Sequence, residues 1–166
     1  MAREPARDRP AAVDERVERV AEAPPLALGH LNNLLGYHIA QAAVSTVELY
    51  ERHVGQPFGL RKAEYSMLML ILANGPLAPK HLAAALSLSA PNMSMLLDRM
   101  QARGLLRRER SQVDRRSQNV VLTAEGERIA QASGLAAEPM AQALFDRLSP
   151  AEHAMLIELL RKVALR

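Results

Sequence analysis

Hydrophobic positions along this chain recur at the three- and four-residue spacing that is typical of amphipathic helices. From Leu26 to His53 they keep close to this period, which predicts one long helix. Ala63 to Ala73 is apolar on nearly every side, so a second helix there is expected to be buried. Glycine and proline at Gly55 to Gly59 and at Asn74 to Pro76 predict breaks after each helix.

The next stretch predicts two short helices joined by a tight turn. The first runs from Pro79 to Leu86, with proline in its opening turn. Ser89 is a suitable N-cap for the second, which reaches Arg103 and stops at Gly104. Four apolar residues of the second helix fall at i, i+3, i+4 and i+7 and predict one buried stripe: Met93, Leu96, Leu97 and Met100.

After Gly104 the period shortens and predicts a two-stranded hairpin. Its strands are Leu105 to Arg110 and Arg116 to Leu122, joined by the polar link Ser111 to Arg115. A helix aimed outward beside a basic hairpin suits a DNA duplex, because one part can enter a groove while the other flanks it.

Two helices complete the chain. Thr123 caps one that extends from Ala124 towards Asp146, and Gly134 and Pro139 are expected to weaken or bend it. The last begins with the capping box Ser149-Pro150-Ala151-Glu152. The first and last helices carry more apolar surface than one small unit can cover, so we expect them to pack against a second copy of the chain.

Charge is unevenly distributed. Between Arg61 and Thr123 ten basic residues stand against four acidic ones, so this segment carries +6, which leaves −3 for the rest of a chain of net charge +3. A concentrated basic segment is typical of proteins that bind a polyanion. The alternative is a solvated basic surface without a partner.

Composition excludes several classes of function. The absence of cysteine excludes disulfides and thiolate metal sites. No signal-peptide pattern stands at the N-terminus, and the run from Met67 to Ala73 is too short to span a bilayer, so a cytoplasmic protein with no membrane partner is expected. No nucleophile elbow, phosphate-binding glycine loop or nucleotide fingerprint is present, and no two histidines stand at i and i+4. We therefore expect no enzyme, no catalytic residue, no cofactor and no metal site.

Five short motifs carry a family resemblance: Leu82-Ala83 with Leu86-Ser87-Leu88-Ser89, then Leu97-Asp98-Arg99-Met100, Arg103-Gly104-Leu105, Asp114-Arg115-Arg116, and Leu122-Thr123-Ala124-Glu125-Gly126. In order and spacing they resemble the winged helix-turn-helix of the MarR (multiple antibiotic resistance regulator) family, over about Leu60 to Ala130. The fold class implied is mainly α with a small β-hairpin wing, a winged helix-turn-helix with N- and C-terminal dimerisation helices. The corresponding regions are a flexible N-terminal arm (1–25, with a short helical pattern from Ala11 to Ala23), a dimerisation helix and linker (26–60), the DNA-binding region (61–123) and C-terminal dimerisation helices (124–166).

The resemblance implies a ligand-responsive homodimer, usually a repressor, that binds a pseudo-palindromic operator in double-stranded DNA. Ser89 to Arg103 would be the recognition helix, and Asp98 would orient the wing by pairing with Arg116. The residues expected to contact DNA are Ser89, Asn92, Ser94, Met95, Arg99, Arg110, Arg115 and Arg116. For Arg99 and for Arg103, a phosphate contact and a solvated position both remain open.

The family's effector is a small molecule, often a phenol or an aromatic acid, in a cleft beside the dimer helices. Candidate effector-binding residues are His30, Tyr37, His38, Phe58, Arg61, Tyr65 and Met69, with ordinary core or rim positions as the alternative for each. Ala90, Pro91 and Met95 stand where family members commonly carry hydroxyl, amide or basic groups, so base reading should depend on Asn92 and on DNA shape. The same departure prompts the alternative of a winged-helix protein-interaction module without specific DNA binding.

Overall fold

The computed structural model describes residues 26–110 and 118–164. The chain divides into two compact units, one up to Leu35 and one from Gly36 onward. In the first, the described residues form a 3-10 helix, Gly29–Asn33, which ends at Leu34 where the backbone is extended (ψ 101°). The predicted N-terminal arm, residues 1–25, lies outside the described residues.

The described part of the second unit is helical except for one hairpin, in agreement with the predicted fold class. Its elements, in chain order, are α1 (Leu35–Tyr50), α2 (Gln56–Phe58), α3 (Lys62–Asn74), α4 (Pro79–Ala85), α5 (Ala90–Ala102), β1 (Leu106–Arg110), β2 (Gln118–Leu122), α6 (Ala124–Phe145) and α7 (Pro150–Ala164).

The prediction of one helix from Leu26 to His53 with a break after it is wrong at both ends. The α-helix begins only at Leu35, and it continues past Tyr50 through a π-helical turn, Glu51–Gly55, into α2. The glycine fits because the Glu51 carboxylate covers it: a Cβ at Gly55 would lie 2.3 Å from Glu51 Oε2. Pro57 stands in the first turn of α2, directly after the π-helical turn. The helical path ends at Gly59, in the left-handed conformation.

The core lies where α3, α4, α5 and α6 meet the base of the hairpin. The predicted stripe of α5 is confirmed, since Met93, Leu96, Leu97 and Met100 are all buried. The expectation that the second helix is buried on nearly every side is wrong, because Leu72 and Ala73 are exposed. α3 packs mainly against α6 and β2, and its exposed residues lie away from these elements.

The hairpin is antiparallel, with Leu106 opposite Leu122 at its base and Arg110 opposite Gln118 at its far end. Leu77, just before α4, extends this small sheet. Its N–H donates to the Val120 carbonyl (3.1 Å) and its carbonyl accepts from the Val120 N–H (2.8 Å). The wing is therefore attached to the segment that leads into α4. The predicted link Ser111 to Arg115 lies outside the described residues.

Two predicted helix starts are confirmed by their hydrogen bonds. The Thr123 hydroxyl accepts from the Gly126 N–H (3.0 Å) and donates to the Gly104 carbonyl (2.6 Å), which caps α6 and ties it to the end of α5. At α7 the Ser149 N–H donates to Glu152 Oε2 (2.8 Å), and the Glu152 N–H donates to the Ser149 hydroxyl (3.3 Å). The Ser149 hydroxyl and N–H also lower the pKa of the Glu152 carboxyl.

Candidate nucleic-acid interface

The turn between α4 and α5 is closed by the Leu88 N–H, which donates to the Ala83 carbonyl (2.9 Å), and Ser87 takes the left-handed conformation (φ 53°). Ser89 then precedes α5 with extended backbone, although its hydroxyl makes no capping hydrogen bond. Because the apolar stripe of α5 faces the core, the rest of the helix is turned outward. The predicted DNA-contacting residues Ser89, Asn92, Ser94 and Met95 are all exposed, Met95 by 66%.

The wing is joined to α5 by an ion pair. Arg108 Nη2 of β1 lies 2.6 Å from Asp98 Oδ1 of α5. Strand alternation places Arg110 on the same face of β1 as Arg108, whereas Arg107 lies on the opposite face and pairs with Glu109 (2.7 Å). Asp98 therefore contacts the wing through Arg108, which is not among the predicted DNA-contacting residues. Its predicted pairing with Arg116 lies outside the described residues, as does Arg115.

A groove of about 320 Å³ lies between α4, the first half of α5 and the two strands. Lys80 and Arg108 give it two cations, while Ser94 and Gln118 add a hydroxyl and an amide. Groups of these kinds make most of the hydrogen bonds between proteins and phosphate oxygens. Lys80, Arg108 and Gln118 are not among the predicted DNA-contacting residues, because nothing in their spacing along the sequence brings β2 next to α4.

A buried carboxylate under α5 was also missed. Glu64 of α3 is 2% exposed and lies 3.1 Å from Arg103 Nη1 and 3.4 Å from Arg99 Nε. Its Oε2 also accepts the Arg61 N–H (2.9 Å). The only local signal is a glutamate three residues after Arg61 at a helix start, which predicts a cap and not an ion pair with α5. Both arginines are thus engaged within the protein, and a DNA contact by Arg99 stays a prediction.

Residues 58–117 match the family model described as MarR family. Transcriptional regulator HosA of Escherichia coli is 32% identical over 104 residues, which make up 63% of this chain and 77% of HosA. The chain belongs to the MarR family.

Solved structures of MarR-type repressors share this fold. The transcriptional repressor CouR bound to a 23-mer DNA duplex is 31% identical, with a TM-score of 0.75 over 86% of this chain and all of CouR. CouR bound to p-coumaroyl-CoA is 29% identical, with a TM-score of 0.72 over 84% of this chain and 98% of that one. As a MarR-family member, this chain is a DNA-binding transcriptional regulator with a winged helix-turn-helix fold.

Two of the predicted effector residues share a cavity. Tyr65 and Met69 of α3 line a space of about 390 Å³ together with Ser66, Leu70, Ala73, Ala85 and Leu86. The Tyr65 ring also meets the Tyr50 ring edge-on, with centroids 5.8 Å apart, and burial raises the pKa of the Tyr65 hydroxyl. A neutral phenol therefore stands at this cavity over the physiological pH range.

The other predicted effector residues do not line that cavity. Tyr37 and His38 lie on α1 with their rings edge to face, 5.4 Å apart. Phe58 packs against the core, Arg61 is exposed just before α3, and His30 belongs to the first unit. Their part in effector binding stays a prediction.

Within residues 26–110 and 118–164, no cluster of three histidine or acidic side chains has the arrangement of a metal site. In the same residues, no helix has both the length and the apolar character needed to cross a bilayer.

Proposed function

We propose that this chain is a homodimeric transcriptional repressor that binds a pseudo-palindromic operator in double-stranded DNA and is released by a small phenol or aromatic acid. The observation that carries the proposal is the outward face of α5 beside the wing. The buried stripe orients it, the Asp98–Arg108 pair connects it to β1, and Lys80 lines the groove next to it. CouR, which has the same fold, is bound to a 23-mer DNA duplex, and this supports duplex DNA as the partner of this chain.

The terminal helices support the homodimer. α7 has no buried residue, although it carries a full apolar stripe. Ile39 and Val44 of α1 are exposed as well. Apolar surface of this extent is normally covered by another protein surface. The exposed apolar residues of α7 are Met155, Leu156, Ile157, Leu159, Leu160 and Val163. A two-fold dimer would present two recognition helices to DNA about one helical turn (~10 bp) apart.

The cavity beside α3 supports the effector. Its volume of about 390 Å³ falls in the range of small-molecule sites. Its lining is apolar except for the hydroxyls of Tyr65 and Ser66, and no lining residue is basic. This lining favours a phenol over a carboxylate, because its two hydroxyls can bond a phenolic hydroxyl and no basic group is present to pair with a carboxylate. CouR, a relative of this chain, binds the aromatic ligand p-coumaroyl-CoA.

The proposal is tested by titrating the full chain onto duplex DNA from its own upstream region, with fluorescence anisotropy at several salt concentrations. A phosphate-binding surface loses affinity steeply as salt rises. Arg116 is predicted to contact DNA from the wing, so replacing it by Ala should weaken binding by roughly 1–3 kcal/mol. Arg128→Ala is the control, since Arg128 is an exposed arginine on α6 that pairs with Glu125.

Each part of the proposal has its own refuting outcome. Equal affinity of the Arg116→Ala variant and the wild type would remove the wing assignment. Salt-insensitive capture of an apolar protein partner, with no binding to any duplex, would instead support the interaction module, for which exposed Met95 would be the anchor. A panel of phenols and aromatic acids should raise the melting temperature and release DNA. A panel that does neither would contradict the effector class.

A further inference from the structure

The buried carboxylate of Glu64 has no role in the DNA-binding surface described above, yet it holds two arginines of the recognition helix. Oε1 faces Arg99 Nε at 3.4 Å, and Oε2 faces Arg103 Nη1 at 3.1 Å. A carboxylate that is 2% exposed is costly to bury unless its charge is paired. The guanidinium groups of Arg99 and Arg103 therefore compensate the charge of the Glu64 carboxylate.

Arg103 is held by more than the carboxylate. Its Nη1 also donates to the Gly59 carbonyl (3.0 Å), and its Nη2 lies within 3.5 Å of the Phe58 carbonyl. The C-terminal end of α5 is thus attached to the segment between α2 and α3. To reach a DNA phosphate, Arg103 would have to break its hydrogen bonds to both carbonyls. The buried Glu64 carboxylate would then lose one of the two arginines that pair with it. The geometry keeps this cation on the protein.

We infer that Glu64 is a specificity-determining residue: it retains Arg99 and Arg103 on the protein and thereby fixes the placement of α5 on DNA. This inference rests on the proposed function. Cations that reach phosphates strengthen binding to every sequence, whereas contacts to base edges separate one sequence from another. Glu64 keeps two arginines away from DNA phosphates, which lowers affinity for unrelated DNA. It also orients the helix that reads bases, which preserves affinity for the operator.

The test compares Glu64→Gln with wild type in the full chain, on the operator duplex and on a scrambled duplex of the same length, over a series of salt concentrations. Glutamine keeps the shape of the side chain but removes its charge. The released arginines should tighten binding to the scrambled duplex and steepen its salt slope by about one for each arginine that reaches a phosphate. The ratio of the affinity for the operator to the affinity for the scrambled duplex should fall by roughly fivefold or more. This is the change expected when one contact to a base edge is lost.

Glu127→Gln is the matched control, because Glu127 is an exposed carboxylate on α6 that also accepts a side-chain hydrogen bond. It makes the same change in net charge without releasing an arginine. If Glu64→Gln and Glu127→Gln show the same salt slope and the same affinity ratio, the inference is overturned.

Circular dichroism establishes whether the Glu64→Gln variant folds, and Arg103→Gln replaces it if it does not. Arg103→Gln leaves Glu64 paired with Arg99. The inference expects its salt slope to match wild type while its affinity ratio falls. A slope shallower by about one would mean that Arg103 contacts a phosphate, which would refute the inference. Failure of the wild type to bind any duplex would instead refute the proposed function, so the two failures are distinguishable.

Discussion

Gly126, in the first turn of α6, leaves no space for a larger residue. A Cβ at this position would lie 1.9 Å from the Leu105 carbonyl oxygen and 2.9 Å from its carbonyl carbon. Both are backbone atoms, so no side-chain rotation can relieve the overlap. Ordinary contact begins near 3.4 Å, and Gly126→Ala must therefore separate α6 from the chain before β1 by about 1.5 Å.

The loss of stability comes largely from the hydrogen bonds that this separation breaks. The Thr123 N–H donates to the Leu105 carbonyl (3.1 Å), and the Thr123 hydroxyl donates to the Gly104 carbonyl (2.6 Å). Losing both costs roughly 2 kcal/mol at about 1 kcal/mol each. Overpacking adds roughly 1–3 kcal/mol. The better helix propensity of alanine offsets about 0.5–1 kcal/mol of this loss in the free energy of unfolding. We expect Gly126→Ala to lower the free energy of unfolding by roughly 2–4 kcal/mol.

Urea unfolding followed by circular dichroism measures this change. All variants are compared at one subunit concentration, because the stability of the proposed dimer would depend on concentration. Gly134→Ala is the matched control on the same helix. A Cβ there would meet only Met69 Sδ at 3.7 Å, an ordinary contact, so stability should hold or rise by up to about 1 kcal/mol. Unfolding of Gly126→Ala and Gly134→Ala at the same urea concentration would refute the steric reasoning.

Two further perturbations test the core and the dimer. Tyr50→Phe removes the hydroxyl that donates to the buried Leu60 carbonyl (2.7 Å) and should destabilise the fold by roughly 1–3 kcal/mol in urea, with Tyr37→Phe as control. Burial, with smaller effects of nearby carboxylates, raises the pKa of Tyr50 to about 12, so its stabilising contribution is complete below pH 10 and is lost between pH 10 and 12. The stability gap between wild type and Tyr50→Phe should therefore narrow over that range, and a constant gap would contradict the assignment. If the proposed dimer forms through α7, Leu160→Glu should give a monomer in sedimentation velocity while Glu158→Gln stays dimeric. Dimers of both variants would exclude α7 from the interface.

The sequence allowed α5 to be predicted almost residue by residue, because its boundaries and its inward face carry local chemistry. Ser89 precedes its first turn, Gly104 follows it in a conformation (φ 69°) that favours glycine, and the apolar stripe repeats at helical spacing. The exposure of Asn92 and Met95 follows from the same periodicity. Such features depend only on neighbours within one or two turns.

The partners of α5 could not be predicted, since they depend on residues distant in sequence. Arg103 and Glu64 are 39 positions apart, and only the packing of α3 against α5 brings them together. The same holds for Leu77, because no sequence pattern in either segment indicates its two backbone hydrogen bonds to Val120. Gly55 and Pro57 misled the prediction for a different reason: both residues usually end helices, but a π-helical turn accommodates them.

That π-helical turn makes the backbone helical without interruption from Leu35 to Phe58. Each helical residue advances the chain by about 100° around its axis. Adding or removing one residue between Glu51 and Gly55 would therefore rotate everything beyond it by roughly a quarter turn relative to α1. In the proposed homodimer, where α1 would help to form the interface, such a change in length would turn one recognition helix relative to the other and alter the operator spacing that fits.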